Sequence, residues 1–241
     1  MWADAKKEIV TSSPKNYPGK HAYRGGVAQR YDEDRIQEPI WGAEQTYVRE
    51  WSSHLPAGAV VLDLPVGTGR FLPFYAEHGL RVHGIDISSD MVAEAHRRYP
   101  ELAGRFDLLV GDAEHLALPD QSVDCVLCWR LAHLLPGQTL VRVLREFRRV
   151  SRGEIVFEVL AFLPAGRRSG VLQPLKRIMH PLWRRLRPRR ADQPWSHIAN
   201  FEHSEEEMRG IVADAGLEVR SLVAIGDSAG RPAVVFHLTR V

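Results

Sequence analysis

The run Val60 to Phe71, VVLDLPVGTGRF, constrains this chain more than any other stretch. An apolar strand leads into Asp63 and then into a loop with glycines at 67 and 69. Glycine lacks a Cβ, tolerates positive φ and lets backbone pass close to a ligand at the N-terminus of the helix that follows. Strand, glycine loop and helix together open an α/β unit. Taken alone, such a turn either packs a helix tightly on its strand or cradles a nucleotide-like molecule.

The dinucleotide fingerprint G-x-G-x-x-G/A needs a small third residue where helix and strand meet, and here that position is Leu72. Pro65 stands where a first glycine would be, and it brings no N–H to a pyrophosphate cradle. Asp63 would repel a pyrophosphate and suits a cationic ligand. An NAD-dependent oxidoreductase therefore keeps little weight.

A second apolar strand, Leu80 to Ile85, ends in Asp86, about 20 residues past the loop, where a carboxylate can accept both hydroxyls of a ribose. A third, Phe106 to Val110, runs into Gly111-Asp112-Ala113, and an acid there can accept from an adenine amino group. Each acid alone reads equally as a helix N-cap or a solvated turn. Three acids at three successive strand ends make a ligand site the better account.

With these residues in place, the chain resembles the class I S-adenosylmethionine-dependent methyltransferases, closest to the small-molecule branch related to ubiquinone-biosynthesis enzymes, over about residues 55–160. The resemblance implies that Asp63, Pro65, Gly67 and Gly69 wrap the methionine part of S-adenosylmethionine. It implies that Asp86 binds the ribose, Ile87 lies beside adenine, and Asp112 and Ala113 take the adenine edge. Pro65 departs from the glycine of many members. In related enzymes a tyrosine of an N-terminal Tyr-Asp pair closes over the cofactor, and Tyr31-Asp32 matches that pair, with Tyr23 nearby; core packing is the competing reading. Trp129 and Arg130 border the methionine end by position, and Arg130 suits either its carboxylate or an acidic substrate.

The remaining elements read as alternating β and α. Ile36, Ile40, Tyr47, Val48, Trp51 and Leu55 form an apolar helical stripe, Arg70 to His78 a helix closed by Gly79, and Ser88 or Ser89 caps a helix through Tyr99. Val123 to Trp129 is a fourth strand, Leu140 to Val150 a basic amphipathic helix, and Glu154 to Leu160 a fifth strand. Ser204 to Glu207 is a capping box for a helix ending at Gly216, and Leu217–Ile225 with Ala233–Leu238 closes the chain as a hairpin. The expected fold is α/β, Rossmann-like and doubly wound, a mostly parallel seven-stranded sheet with the last strand antiparallel. It divides into an N-terminal arm with cap helices (1–54), a cofactor-binding core (55–162), a basic lid insertion (163–200) and a C-terminal completion (201–241).

Composition narrows the partners. With 241 residues, 44% hydrophobic and 26% charged, the chain can bury one sizeable core, and no apolar run reaches the length of a membrane span. Its first residues lack the apolar stretch of a secretory signal, so a cytoplasmic location is expected. Cys125 and Cys128 lie on one strand, and residues three apart point to opposite faces, about 10 Å from each other, so buried thiols are expected rather than a disulfide or a metal site. The insertion places several arginines among Leu175, Ile178, Leu182 and Trp183, which fits a lid, contact with an acidic substrate or anionic membrane surface, or RNA. A net charge of +2 gives no dominating basic face, so nucleic acid is not expected.

The function that follows is methyl transfer to oxygen, nitrogen or activated carbon of a small metabolite, mostly by holding the reacting atoms in line. An acceptor that must lose a proton needs a base. His133, just past the fourth strand, is the first candidate; His197 and His203, at the end of the insertion, compete for the role. Alternatives are a cofactor-binding protein that transfers nothing and a lipid or RNA methyltransferase using the insertion.

Overall fold

A computed structural model describes residues 23–160, 201–227 and 232–241. The basic insertion and His197 lie outside the described residues. Two N-terminal helices, α1 (Gly26–Arg35) and α2 (Pro39–Ser53), precede β1 (Val60–Asp63), α3 (Leu72–Glu77), β2 (Arg81–Asp86), α4 (Ser89–Arg98) and β3 (Asp107–Val110). Then come β4 (Cys125–Cys128), α5 (Gly137–Val150) and β5 (Ile155–Val159). After the insertion follow α6 (Glu205–Asp214), β6 (Leu217–Asp227) and β7 (Pro232–Arg240).

The seven strands make one sheet in the order β3-β2-β1-β4-β5-β7-β6. β1 to β5 are parallel, and β7 runs antiparallel to both neighbours, β5 and β6. The expected last antiparallel strand is thus present, inserted between β5 and β6. Because the order reverses between β1 and β4, their following segments leave in opposite directions and open a crevice at the strands' carboxyl ends.

Apolar side chains of β1 and β4 divide between two cores, one on each sheet face. Leu62, Val126 and Cys128 join one, whereas Val61, Cys125 and Leu127 join the other. Alternation along β4 thus sends its two cysteines, buried free thiols, to opposite faces as expected, and burial pushes both thiols up.

Several boundaries differ from the sequence reading. Ile36, placed on the apolar stripe, is 57% exposed, because Pro39 starts a new helix; Ile40, Val48 and Trp51 carry the stripe into the core, with Tyr47 and Leu55 packed against it. The helix after the loop begins at Leu72 rather than Arg70, since Leu72 N–H donates to Gly69 O in the preceding turn and Pro73 fits a helix's first turn. β4 pairs only over Cys125–Cys128; Val123 makes a separate bridge to Ser151, and the chain turns away at Trp129. The basic face of α5 is consumed internally: Arg145 donates to Asp214 O, Arg148 to Gly216 O, and Arg149 pairs with Glu146 and Asp120. Both capping serines act as read, Ser88 accepting from Met91 N–H and Ser204 from Glu207 N–H.

Candidate functional site

Past Asp63 the chain leaves the β1 ladder but stays pinned on both sides. Leu64 N–H donates to Leu127 O of β4, and Val66 N–H to Ile85 O of β2. The Leu64–Pro65 peptide is cis. Gly67 and Gly69 both have positive φ, +55° and +76°, yet they serve different ends. A Cβ on Gly69 would stand 2.7 Å from Leu72 Cδ1 and 3.1 Å from the Ala95 Cβ, so this glycine lets α3 and α4 close on the loop. A Cβ on Gly67 would meet nothing within 4 Å, because the residue borders a cavity.

The three acids stand at the carboxyl ends of β1, β2 and just beyond β3. Asp63 is fully buried; its Oδ2 accepts from the Tyr75 hydroxyl at 3.2 Å, and its Oδ1 has no partner among the described residues. Burial pushes its carboxyl up to about 7. Asp86 accepts the N–H of Gly67 on Oδ2 at 3.0 Å and that of Ser88 on Oδ1 at 2.8 Å, and burial still pushes it up to about 6. Asp112 accepts from Glu114 N–H at 2.9 Å on Oδ1, while Oδ2 is buried without a partner among the described residues.

Two compartments meet over these ends. The larger, about 680 Å³ with its open mouth, is lined by Gly67, Asp86, Tyr31, Trp129 and Arg130. The smaller, about 430 Å³, is lined by Gly111, Asp112 and Ala113. Pro65, Ile87 and Leu131 line both, so the two form one cleft of ordinary ligand-binding size.

The N-terminal arm covers the larger compartment. Tyr31 and Tyr23 line it in edge-to-face contact, ring centroids 5.8 Å apart. Asp32 points elsewhere: it accepts from the Thr68 hydroxyl at 2.8 Å and from Arg98 Nη1 at 2.5 Å, tying α1 to the loop and to α4. Ser88 donates its hydroxyl to Tyr23 O, and Gly25 N–H donates to Asp90.

Behind the cavity lies a buried charge network. Arg130 Nε donates to Glu44 at 2.8 Å and Nη1 to Glu38 at 2.7 Å, and its backbone N–H donates to Glu158 at 2.8 Å. Arg70 stands 2.8 Å from the other Glu44 oxygen, an ion pair without hydrogen-bond alignment, and lies over the Trp41 and Phe71 rings. Burial would raise Glu44, but Arg70 and Arg130 outweigh it and hold the carboxyl down. The same two arginines also act on Glu158, but there burial followed by the Glu44 charge outweighs them and pushes the carboxyl up.

Residues 61–154 match the family model described as "Methyltransferase domain". That segment holds Asp63, Asp86, Asp112 and both loop glycines. It is similar to malonyl-[acyl-carrier protein] O-methyltransferase of Yersinia pestis, 41% identical over 106 residues that cover 43% of this chain and 38% of that protein. It is similar also to phosphatidylethanolamine N-methyltransferase of Cereibacter sphaeroides, 37% identical over 113 residues, 45% of this chain and 54% of that one. The chain thus spans 38–54% of the length of these curated relatives. In fold it resembles magnesium protoporphyrin IX methyltransferase from Synechocystis PCC 6803, solved with bound SAM, at TM-score 0.65 and 16% identity over 96% of this chain and 100% of that one.

Within and around residues 61–154, most residues singled out from sequence meet at the cleft: Tyr31, Pro65, Gly67, Asp86, Ile87, Asp112, Ala113, Trp129 and Arg130 line it. Asp63 and Gly69 support it from behind. His133 sits in the short 3₁₀ turn Ala132–Leu134, between lining residues Leu131 and Leu134 but not itself on the wall. Burial, then the Arg130 and Arg35 charges, push its imidazole down to about 3. His203 is buried with Nε2 at 3.2 and 3.1 Å from Ala132 O and Leu135 O, which makes it a clasp for that turn. Sequence reasoning passed over Leu131, Thr68 and the acids of the network. Glu44 carried a readable signal, since it lies midway between the buried Ile40 and Val48 at helical spacing, an acid in an apolar stripe.

Proposed function

We propose that this chain is an S-adenosylmethionine-dependent methyltransferase acting on a small-molecule acceptor. The observation that carries it is the single cleft over three buried carboxylates, of which Asp63 Oδ1 and Asp112 Oδ2 lack partners among the described residues. Unpartnered buried oxygens cost free energy unless a ligand donates to them, and an adenine amino group, ribose hydroxyls and a cationic methionine end supply donors of the required kind. Asp86 would hold the ribose, Asp112 and Ala113 the adenine edge, and Ile87 with Leu131 the apolar ring. Gly67 leaves backbone bare toward the methionine part, bordered by Asp63, Tyr31, Trp129 and Arg130.

S-adenosylmethionine bound there supplies an electrophilic methyl group. The chain's own part is placement and exclusion of water, with Tyr23 and Tyr31 covering the mouth. Such positioning accounts for a large share of the acceleration of an in-line displacement. If the acceptor must lose a proton, His133 and His197 are the proposed bases. With its conjugate acid near 3, His133 is a neutral, weak base that retains a proton poorly and would have to pass it on. The named relatives are an O-methyltransferase of malonyl-[acyl-carrier protein] and an N-methyltransferase of phosphatidylethanolamine, so the acceptor atom differs between them and the acceptor is read here only as a small molecule. Among the described residues no helix is long and apolar enough to cross a membrane. Cytoplasmic action, with peripheral contact through the insertion, completes the proposal.

Calorimetric titration with S-adenosylmethionine and NAD separates this reading from an oxidoreductase, since only the former should bind. A screen of metabolite extracts with methyl-labelled cofactor then asks for transfer. Binding without any labelled product would favour a cofactor-binding protein that transfers nothing.

A further inference from the structure

Tyr75 stands on the inward face of α3, fully buried in the core that holds Val61, Val66, Leu72 and Leu127. Its ring serves that core as a phenylalanine would. The hydroxyl does not, because an unbonded hydroxyl among apolar side chains costs free energy; its place there is explained by what it bonds. It reaches from α3 to the end of β1 and donates to Asp63 Oδ2 at 3.2 Å. Burial, then the charge of Asp63, push the phenol well above its ordinary value, so it keeps its proton and remains a donor across the neutral range.

Asp63 is 1% exposed and lies on the wall of neither compartment. It stands behind the glycine loop, so what it offers a ligand is chiefly its charge. That charge is contested by its surroundings. Burial favours the neutral acid and pushes it up to about 7; the Tyr75 bond is the largest influence in the other direction, followed by Arg70, while Asp86 adds to the effect of burial. The thiols of β4, Cys125 near Tyr75 and Cys128 near Asp63, are pushed up by burial and stay neutral. The strand residues that flank Asp63 in register, Gly84 and Leu127, carry no charge. A donor bonded to a carboxyl group favours its ionised form, so close to neutral pH one hydroxyl tips the balance.

We infer that Tyr75 is a positioning residue for cofactor binding: from α3 its hydroxyl fixes the Asp63 carboxylate and sustains the negative charge behind the glycine loop that draws a cationic methionine end. The inference rests on the proposed cofactor reading and goes beyond it by naming a residue that acts on the ligand without touching it. It also makes α3 part of the site through a single bond.

Tyr75→Phe keeps the ring and removes the hydroxyl. Calorimetry on the full chain between pH 6 and 8.5 then uses two probes that share adenine, ribose and sulfur: S-adenosylhomocysteine, which carries an ammonium group, and 5′-methylthioadenosine, which carries none. Without the hydroxyl Asp63 ionises at higher pH. S-adenosylhomocysteine should therefore bind the variant about tenfold more weakly than the wild type at pH 6, and within about twofold of it at pH 8.5. The uncharged probe should bind both proteins with the same affinity at every pH. In an Asp63→Asn background the Tyr75 substitution should leave both probes unchanged throughout, since no charge remains to be sustained.

A loss of S-adenosylhomocysteine that is equal at pH 6 and 8.5 would mean that the hydroxyl only supports the fold, and it overturns the inference. So does the absence of any loss, a matching loss of 5′-methylthioadenosine, or a pH-dependent loss that persists in the Asp63→Asn background. Each of these leaves the cofactor reading standing. A wild-type protein that binds neither probe removes that reading itself, and the assignment of Tyr75 falls with it.

Discussion

Asp86 at the end of β2 accepts the backbone N–H of Gly67 at 3.0 Å, so the acid assigned to a ribose also fastens the glycine loop. A single carboxylate thus couples loop shape to ligand recognition. Replacing it by asparagine keeps the size and removes the charge. Asp86→Asn should weaken S-adenosylhomocysteine binding by roughly 1–3 kcal/mol through lost charge-assisted hydrogen bonds. Calorimetry with both proteins decides it, and equal affinities would remove Asp86 from the ribose site.

Buried acids make the empty cleft sensitive to pH. Asp63 and Asp86 sit at about 7 and about 6, above ordinary carboxylates, because burial penalises their charge. At these two sites the folded state binds more protons than the unfolded chain between about pH 4 and 7. Glu158, pushed up to about 8, adds to this, while His133, pushed down to about 3, opposes it. With three raised acids against one lowered imidazole, ligand-free stability falls as pH rises through that window. Affinity for a cationic, hydrogen-bond-donating ligand should run the other way, rising as both acids ionise. Urea titrations from pH 5 to 8, with and without S-adenosylmethionine, should show opposite slopes. Asp63→Asn should flatten the ligand-free slope and stabilise the empty protein at pH 8 by roughly 1–3 kcal/mol; an unchanged slope would contradict the burial account.

The two loop glycines should separate under substitution. Gly69→Ala places a methyl against Leu72 and Ala95 at positive φ, and should cost roughly 2–4 kcal/mol of stability. Gly67→Ala extends into the cleft, so it should cost only about 1 kcal/mol of backbone strain while sharply reducing cofactor affinity. Thermal melts and titrations on both variants give the comparison, and similar stability losses would mean that Gly67 is packed rather than open.

What was legible in the sequence was what depends on short-range pattern. Asp63, Asp86 and Asp112 were readable because a parallel strand ends where its apolar run ends, and the ends of successive parallel strands must lie side by side. The placement of β7 between β5 and β6 was not, because strand order depends on pairing between segments far apart in the chain. The Glu38–Glu44–Arg70–Arg130–Glu158 network was likewise hidden, since its members come from four separate parts of the sequence and only Glu44 broke a local pattern. Arg35 to Pro39 misled for the opposite reason: the spacing of Ile36 fits the stripe, but a proline three residues on starts a new helix and turns Ile36 out to solvent.

The N-terminal arm should behave as a cover whose fastening is Asp32. This acid is 8% exposed and takes hydrogen bonds from Thr68 in the loop and Arg98 on α4, so α1 is tied at once to the glycine loop and to the helix after β2. Asp32→Ala removes both ties and leaves Arg98 with Glu94. Global stability should fall by roughly 1–3 kcal/mol, but opening of α1 should increase more than opening of the sheet, because both lost bonds join α1 to the loop and to α4 whereas the sheet has its own core. Amide exchange across residues 26–35 should therefore accelerate well beyond that of β1 and β4. S-adenosylhomocysteine should slow it again in the wild-type protein if Tyr31 closes over the ligand, and exchange in α1 that ignores the ligand would place Tyr31 outside the site.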